Sequence, residues 1–156
     1  IRTWPPERYT QLIRRLLDDD HDRVVLLLGL PFAMRSAKEI QAKTADPRCV
    51  NFVGQTENLD DVVQLFHMAE LLITNDSGPA HFASLTPIKA ITLFGPETPV
   101  LYGPTGPNAL NLHKPLACSP CLTAANHRSS PCQDNQCLKA ISVDEVFDAA
   151  KTLLQG

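Results

Sequence analysis

The stretch "LLITNDSGPAHFAS" (71–84) joins an apolar strand pattern to polar groups that could bind an anion. Gly78 has no Cβ, so the backbone there can approach a ligand closely, and Pro79 suits the first turn of a helix. Free N–H groups at such a helix start favour an anion, and His81 is near enough to contact the same group. The pattern predicts a phosphate-binding turn, in which Asp76 either caps the helix or accepts hydrogen bonds from sugar hydroxyls.

An ordinary turn with an N-cap and a structural histidine would produce the same residues. The next apolar strand ends in a second glycine- and proline-rich loop, "FGPETPVLYGPTG" (94–106). Ligands of open parallel sheets collect at the carboxyl ends of the strands. Two such loops on one sheet edge favour a binding site over an accidental turn.

Strand and helix patterns alternate along most of the chain. Apolar runs predict four strands, and the first of them, 23–29, is continuous and therefore predicted to be covered on both faces. Ser142 and Glu145 have the spacing of a capping box before the last helix. Strands that alternate with helices indicate βαβ units, a parallel sheet and the α/β class. The four predicted strands are 23–29, 49–54, 71–75 and 89–95, and the predicted helices begin near residues 6, 37, 59 and 143.

Composition excludes several classes of protein. The chain has 156 residues, 44% of them hydrophobic, which is ordinary for a globular domain, and its net charge is −3. Lys and Arg form no basic stripe, so we expect no nucleic-acid partner. The apolar runs are too short for a membrane span, so no transmembrane segment is predicted.

A proline- and cysteine-rich region, 95–140, departs from this alternation and is predicted to be mostly loop. Four cysteines at short spacings in this region could form a zinc site. The spacing between Cys132 and Cys137 is looser than in paired zinc knuckles. Free or structural thiols are therefore the preferred interpretation, followed by a zinc site and then by two disulfides. The four residues are Cys118, Cys121, Cys132 and Cys137.

The block "LLITNDSGPAHFASLTPIKAITLFGPETPVLYGPTG" resembles the signature region of glycosyltransferase family 9, the ADP-heptose:lipopolysaccharide heptosyltransferases. The resemblance extends from "RTWPPERY" near the start to "CLKAIS" near the end. It implies a GT-B fold, in which two Rossmann-like domains face a cleft and the carboxyl-terminal one holds most of the nucleotide-sugar. The chain is similar to that second domain. We therefore expect residues 1–156 to form a single Rossmann-like domain, with helices on both faces of its sheet, from a longer two-domain enzyme.

The resemblance also implies roles for individual residues. Arg2 matches a basic residue near the donor phosphates, and Thr56 matches a segment that lines the nucleotide pocket. Ala33 stands where many members carry a glutamate near the ribose, which bears on the identity of the nucleotide. The diphosphate and sugar contacts fall on Asp76, Ser77, Gly78, Pro79 and His81.

By the same resemblance, the chain is the donor-binding part of an inverting transferase that moves heptose from ADP-heptose to a lipopolysaccharide-type acceptor. The general base and the lipid-linked glycan acceptor belong to the other domain, so no catalytic residue is assigned here and the 156 residues alone are expected to be inactive. No metal or cofactor is expected. The implied location is cytoplasmic, with peripheral association at the inner face of the membrane. A non-catalytic nucleotide- or sugar-binding module and a zinc-stapled interaction domain are the alternatives.

Overall fold

The computed structural model describes residues 1–155, and these form two compact units. One unit is Pro5–Val62, and the other comprises Ile1–Trp4 together with the chain from Val63 onward. All strand pairs in both units are parallel, which confirms the predicted α/β class. The strands form two sheets, one in each unit, where the sequence predicted one. A single domain over residues 1–156 stays a prediction.

In the Pro5–Val62 unit, two helices pack beside a two-stranded sheet. The helix α1 (Pro6–Asp19) begins with proline in its first turn and buries the apolar stripe that its sequence predicts, including Leu12 and Leu17. It packs on α2 (Met34–Thr44), and a 3₁₀ turn precedes α2. The strands are β1 (Val25–Leu27) and β2 (Cys49–Asn51).

The strand β1 is covered on one face only, which corrects the prediction of burial on both faces. Val25 and Leu27 pack against the cluster formed by Ile13, Leu17, Ile40 and Cys49. Leu26 points the other way and is 40% exposed, because successive side chains of a strand alternate between faces. An all-apolar run does not by itself reveal which of its faces is covered.

The second unit contains a three-stranded sheet in the order β3-β4-β5. The strands are β3 (Leu71–Asn75), β4 (Lys89–Phe94) and β5 (Ala109–His113). Consecutive residues of β4, from Ala90 to Phe94, are all buried, so this central strand is covered on both faces. β5 lies within the stretch predicted to be loop, between prolines and the cysteine-rich segment, residues 118–137. Its five residues are too short a pattern to predict a strand there.

Helices enclose this sheet and connect its strands. The helix α3 (Leu59–Met68) leads into β3, and α4 (Gly78–Ala83) leads from β3 to β4. α5 (Pro99–Tyr102) follows β4, and both α6 (Gln136–Lys139) and α7 (Val143–Gln155) pack against β4. The largest fully buried side chains of this unit are Trp4, Phe66, Phe94, Ile91, Leu93, Leu138 and Ile141.

Candidate functional site

Two carboxylates follow the ends of neighbouring strands in the three-stranded sheet. Asp76 comes directly after β3, and Glu97 comes three residues after the end of β4. The strands are parallel, Asn75 pairs in register with Leu93, and the Asp76 N–H donates to the Leu93 carbonyl at 3.2 Å. Both carboxylates are therefore placed at the carboxyl edge of the sheet, where open α/β sheets bind ligands.

Arg2 reaches this edge because the residues before α1 are anchored to it. The Trp4 side chain is fully buried, and its indole N–H donates to the Ile141 carbonyl at 3.0 Å. The Trp4 backbone N–H donates to Asn75 Oδ1 at 2.8 Å, which ties the segment to the end of β3. Arg2 Nη2 then lies 2.5 Å from Asp76 Oδ2. This charged hydrogen bond orients the guanidinium and pairs a nearly buried carboxylate.

Glu97 is the most buried charged group of the site. Its side chain is 1% exposed, and its Oε1 lies 3.7 Å from Arg2 Nη2 and 3.5 Å from Arg128 Nε. No hydrogen bond to Glu97 Oε1 is found among the described residues. A buried carboxylate oxygen without a hydrogen bond is costly, and the two nearby guanidinium groups offset that cost by pairing with the charge.

The cysteine-rich segment brings Arg128 to the same place. The backbone N–H groups of Cys121 and Leu122 both donate to the Pro96 carbonyl at 2.9 Å, so this segment is bonded to the residue just before Glu97. The Arg128 guanidinium then lies over the Tyr102 ring, 5.1 Å from its centroid, within the range of a cation–π contact.

The turn between β3 and α4 has the predicted position but a different capping arrangement. Ser77 is the N-cap residue, and its hydroxyl donates to the Asn75 carbonyl at 3.0 Å instead of capping α4. Asp76 pairs with Arg2 and does not cap the helix. Since α4 has only six residues, its dipole is small, and the cationic side chains contribute more to anion attraction than the helix does.

These side chains line a cavity of about 490 Å³ in the second unit. The Arg2 and Arg128 side chains are 39% and 53% exposed, whereas the two carboxylates beneath them are 7% and 1% exposed. The positive groups are therefore accessible to solvent, and the negative groups are buried. Such a layering favours an anionic ligand with polar, hydroxyl-bearing parts. The lining residues are Arg2, Asp76, Ser77, Gly78, His81, Glu97, Tyr102 and Arg128.

One protein family matches most of the chain. Residues 2–130 match the sequence pattern of the family described as "Glycosyltransferase family 9 (heptosyltransferase)". The chain belongs to glycosyltransferase family 9.

Individual relatives of this family 9 chain are longer than it is. It is 34% identical over 88 residues to lipooligosaccharide heptosyltransferase 2 of Campylobacter jejuni, an alignment that covers 56% of the chain and 26% of the relative. It is 31% identical over 101 residues to lipopolysaccharide heptosyltransferase 2 of Escherichia coli, covering 63% and 28%. The solved structure of the E. coli ADP-heptose lipopolysaccharide heptosyltransferase II superposes with a TM-score of 0.78 at 25% identity, over 99% of this chain and 42% of that one.

In this family 9 chain, the cavity is lined by five of the seven predicted donor-site residues, namely Arg2, Asp76, Ser77, Gly78 and His81. Pro79 is the second residue of α4 and is exposed. Thr56 lies half-buried between β2 and α3, in the Pro5–Val62 unit. The roles of all seven residues stay predictions.

Three cavity residues, Glu97, Tyr102 and Arg128, were not predicted. Glu97 and Tyr102 lie in the "FGPETPVLYGPTG" loop, and an acidic residue just beyond a strand end was a signal for the first of them. Arg128 had no such signal, because its position depends on how the cysteine-rich segment folds back on Pro96.

The four clustered cysteines form no disulfide, and Cys118 is exposed, Cys121 and Cys132 are half-buried, and Cys137 is buried. Burial raises the pKa of the Cys137 thiol. Within residues 1–155, no three His, Cys, Asp or Glu side chains are arranged to hold a metal ion. In the same residues, no helix is both long and apolar enough to cross a membrane.

Proposed function

We propose that this chain is the donor-binding part of an inverting glycosyltransferase that transfers heptose from ADP-heptose to a lipopolysaccharide-type acceptor. The observation that carries the proposal is the layered cavity at the ends of β3 and β4, with Arg2 hydrogen-bonded to Asp76 at 2.5 Å. Family membership supports the reaction class. The name of the 25%-identical E. coli enzyme supports the choice of ADP-heptose.

In the proposed reaction, an acceptor hydroxyl oxygen bonds to the anomeric carbon while the bond from that carbon to the diphosphate oxygen breaks. The hydroxyl proton passes to a base that we assign outside these residues. Negative charge then grows on the leaving diphosphate, and a fixed cation placed there lowers the barrier. Arg2 is suited to this role because Asp76 holds its guanidinium in place before the ligand arrives.

Asp76 and the turn after it would complete the donor contacts. Asp76 Oδ1 has no hydrogen bond to any described residue, so it is free to accept one from a sugar hydroxyl. The His81 side chain lines the cavity and likewise makes no hydrogen bond within residues 1–155. It can donate to a phosphate oxygen. Thr56 is proposed to contact the nucleoside, as the family resemblance implies.

Calorimetric titration of the 156-residue chain with ADP and with adenosine tests the proposal. Arg2→Ala and His81→Ala should each weaken ADP binding by about tenfold or more while adenosine binding changes little, because a charge-assisted hydrogen bond contributes about 1.5–3 kcal/mol. Lys139→Ala is a matched control, since Lys139 pairs with Asp134 and does not line the cavity. Equal losses for ADP and adenosine would show that these residues serve packing and not phosphate binding.

A further inference from the structure

The buried carboxylate of Glu97 lies between two cations that come from distant parts of the chain. Arg2 precedes the first helix and Arg128 lies in the cysteine-rich segment, yet both guanidinium groups are within 3.7 Å of the same Glu97 oxygen. That oxygen is shielded from solvent and has no hydrogen bond among the described residues. Burying a charged carboxylate is costly unless cations pair with it, and Arg2 and Arg128 are the two cations beside this one.

The backbone at Arg128 is held in a conformation that non-glycine residues seldom adopt. His127 and Arg128 have φ values of 53° and 54°, which cost roughly 1 kcal/mol each. The preceding turn enforces them: Thr123 and Asn126 cap each other through side chain and backbone, and the Arg128 N–H donates to the Thr123 carbonyl at 2.9 Å. With the backbone in this conformation, the Arg128 side chain lies in the cavity, over the face of the Tyr102 ring.

We propose that Arg128 is a second cationic contact for the diphosphate of the donor, and that Glu97 is the positioning residue that holds Arg128 and Arg2 for it. The inference rests on the proposed function and extends the binding site into the cysteine-rich segment. That segment then serves donor binding in addition to any structural role of its thiols.

The chemistry of the site fits a diphosphate better than a neutral ligand. Asp76 and Glu97 already balance the charges of the two arginines, but these carboxylates are buried, whereas both guanidinium side chains are accessible to a ligand. The Arg128 Nη atoms have no hydrogen-bond partner in residues 1–155, so they can donate to phosphate oxygens. A planar guanidinium matches the geometry of phosphate, and two of them can share the charge of two linked phosphates.

Titration of the 156-residue chain with ADP, inorganic pyrophosphate and adenosine tests the role of Arg128. Arg128→Ala should weaken binding of ADP and of pyrophosphate by about tenfold and leave adenosine unchanged. Arg128→Lys should recover part of the loss, because it restores the charge without the planar donor pair. Lys139→Ala removes the same charge from the same region without touching the cavity, and it should bind all three probes like the wild type.

The outcomes separate this inference from the proposed function. ADP binding that is unchanged in Arg128→Ala overturns the inference and leaves the proposed function standing. Pyrophosphate binding that depends on Arg128, in a chain that does not bind ADP, supports the inference and overturns the choice of nucleotide. A wild-type chain that binds neither anion overturns both.

Glu97→Gln tests the positioning role through the direction of its effect. If Glu97 only repelled the ligand, removing its charge would tighten ADP binding. If it holds the arginines, Glu97→Gln should weaken ADP binding several-fold, and the loss should be smaller when Arg128 is already alanine. Tighter or unchanged ADP binding by Glu97→Gln would overturn the positioning role. So would a double variant whose loss of affinity equals the product of the losses in the two single variants. Thermal unfolding of the single variant establishes that it is folded, and the Arg128 variants test the diphosphate contact independently.

Discussion

Gly78 and Gly95 follow neighbouring strands, and the structure gives them different reasons to be glycine. A Cβ on Gly78 would meet only the Phe82 ring at 3.5 Å, an ordinary contact. A Cβ on Gly95 would lie 2.5 Å from Leu138 Cγ and 3.1 Å from Cys137 Sγ, and Leu138 is fully buried. The fold therefore requires glycine at position 95, whereas the packing of the described residues does not require it at position 78.

We predict that Gly95→Ala destabilises the protein and that Gly78→Ala does not. Overpacking against Leu138 should cost about 1–3 kcal/mol, whereas alanine in α4 should leave the free energy of unfolding unchanged or slightly increase it. Gly78→Ala should nevertheless weaken ADP binding, because its methyl group would occupy the space of the phosphate. Urea unfolding and ADP titration of both variants measure the two effects. A folded Gly78→Ala protein that binds ADP normally would contradict a close approach of ligand to this turn.

At the scale of elements, the start of α7 shows a local signal that the tertiary structure reinforces. The Ser142 N–H donates to Glu145 Oε2 at 3.0 Å, and the Glu145 N–H donates to Ser142 Oγ at 3.2 Å, so the predicted capping box is confirmed. Lys114, which follows β5, forms an ion pair with the same carboxylate. Lys114 and the Ser142 N–H hold the pKa of Glu145 below its ordinary value of 4.5.

This pKa shift predicts how the stability of the wild type and of Glu145→Gln differ with pH. A carboxyl whose pKa is lowered by folding stabilises the folded state above its ordinary pKa, and the contribution is lost as pH falls through the lowered value. Glu145 is 40% exposed, so the contribution at neutral pH should be only about 0.5–1 kcal/mol. Urea unfolding of both proteins should show that difference at about pH 7, and the difference should shrink as the pH falls below the ordinary pKa of Glu145. A difference that persists in acid would mean that the carboxylate charge is not its source.

At the scale of the whole molecule, the chain spans less than half the length of the relatives it matches. We predict that the 156 residues bind ADP and transfer no sugar, because the acceptor site and the base are assigned to the part that the relatives have in addition. Incubation with ADP-heptose and a lipopolysaccharide acceptor, followed by detection of released ADP and glycosylated product, measures this. The E. coli heptosyltransferase 2 is a suitable positive control. Product formed by the 156 residues would place the base among them.

The sequence by itself determined the features that depend on neighbours along the chain. The strand, turn and helix from Leu71 to Ala83 and the capping box of α7 follow from side-chain period, proline and glycine, and residues a few positions apart. The positions of Asp76 and His81 near the carboxyl edge of the sheet followed as well, because all strands of a parallel sheet end at the same edge. The family resemblance rested on the same local block.

Only the tertiary structure decided which distant residues meet. Glu97 is joined to Arg2 and Arg128 through the register of β3 with β4, the burial of Trp4 and the hydrogen bonds from the cysteine-rich segment to Pro96. The exposed face of β1 and the existence of β5 were decided in the same way. The physical reason is that periodicity records which side of an element is apolar, whereas a contact between residues 2, 97 and 128 depends on strand pairing and loop anchoring through space.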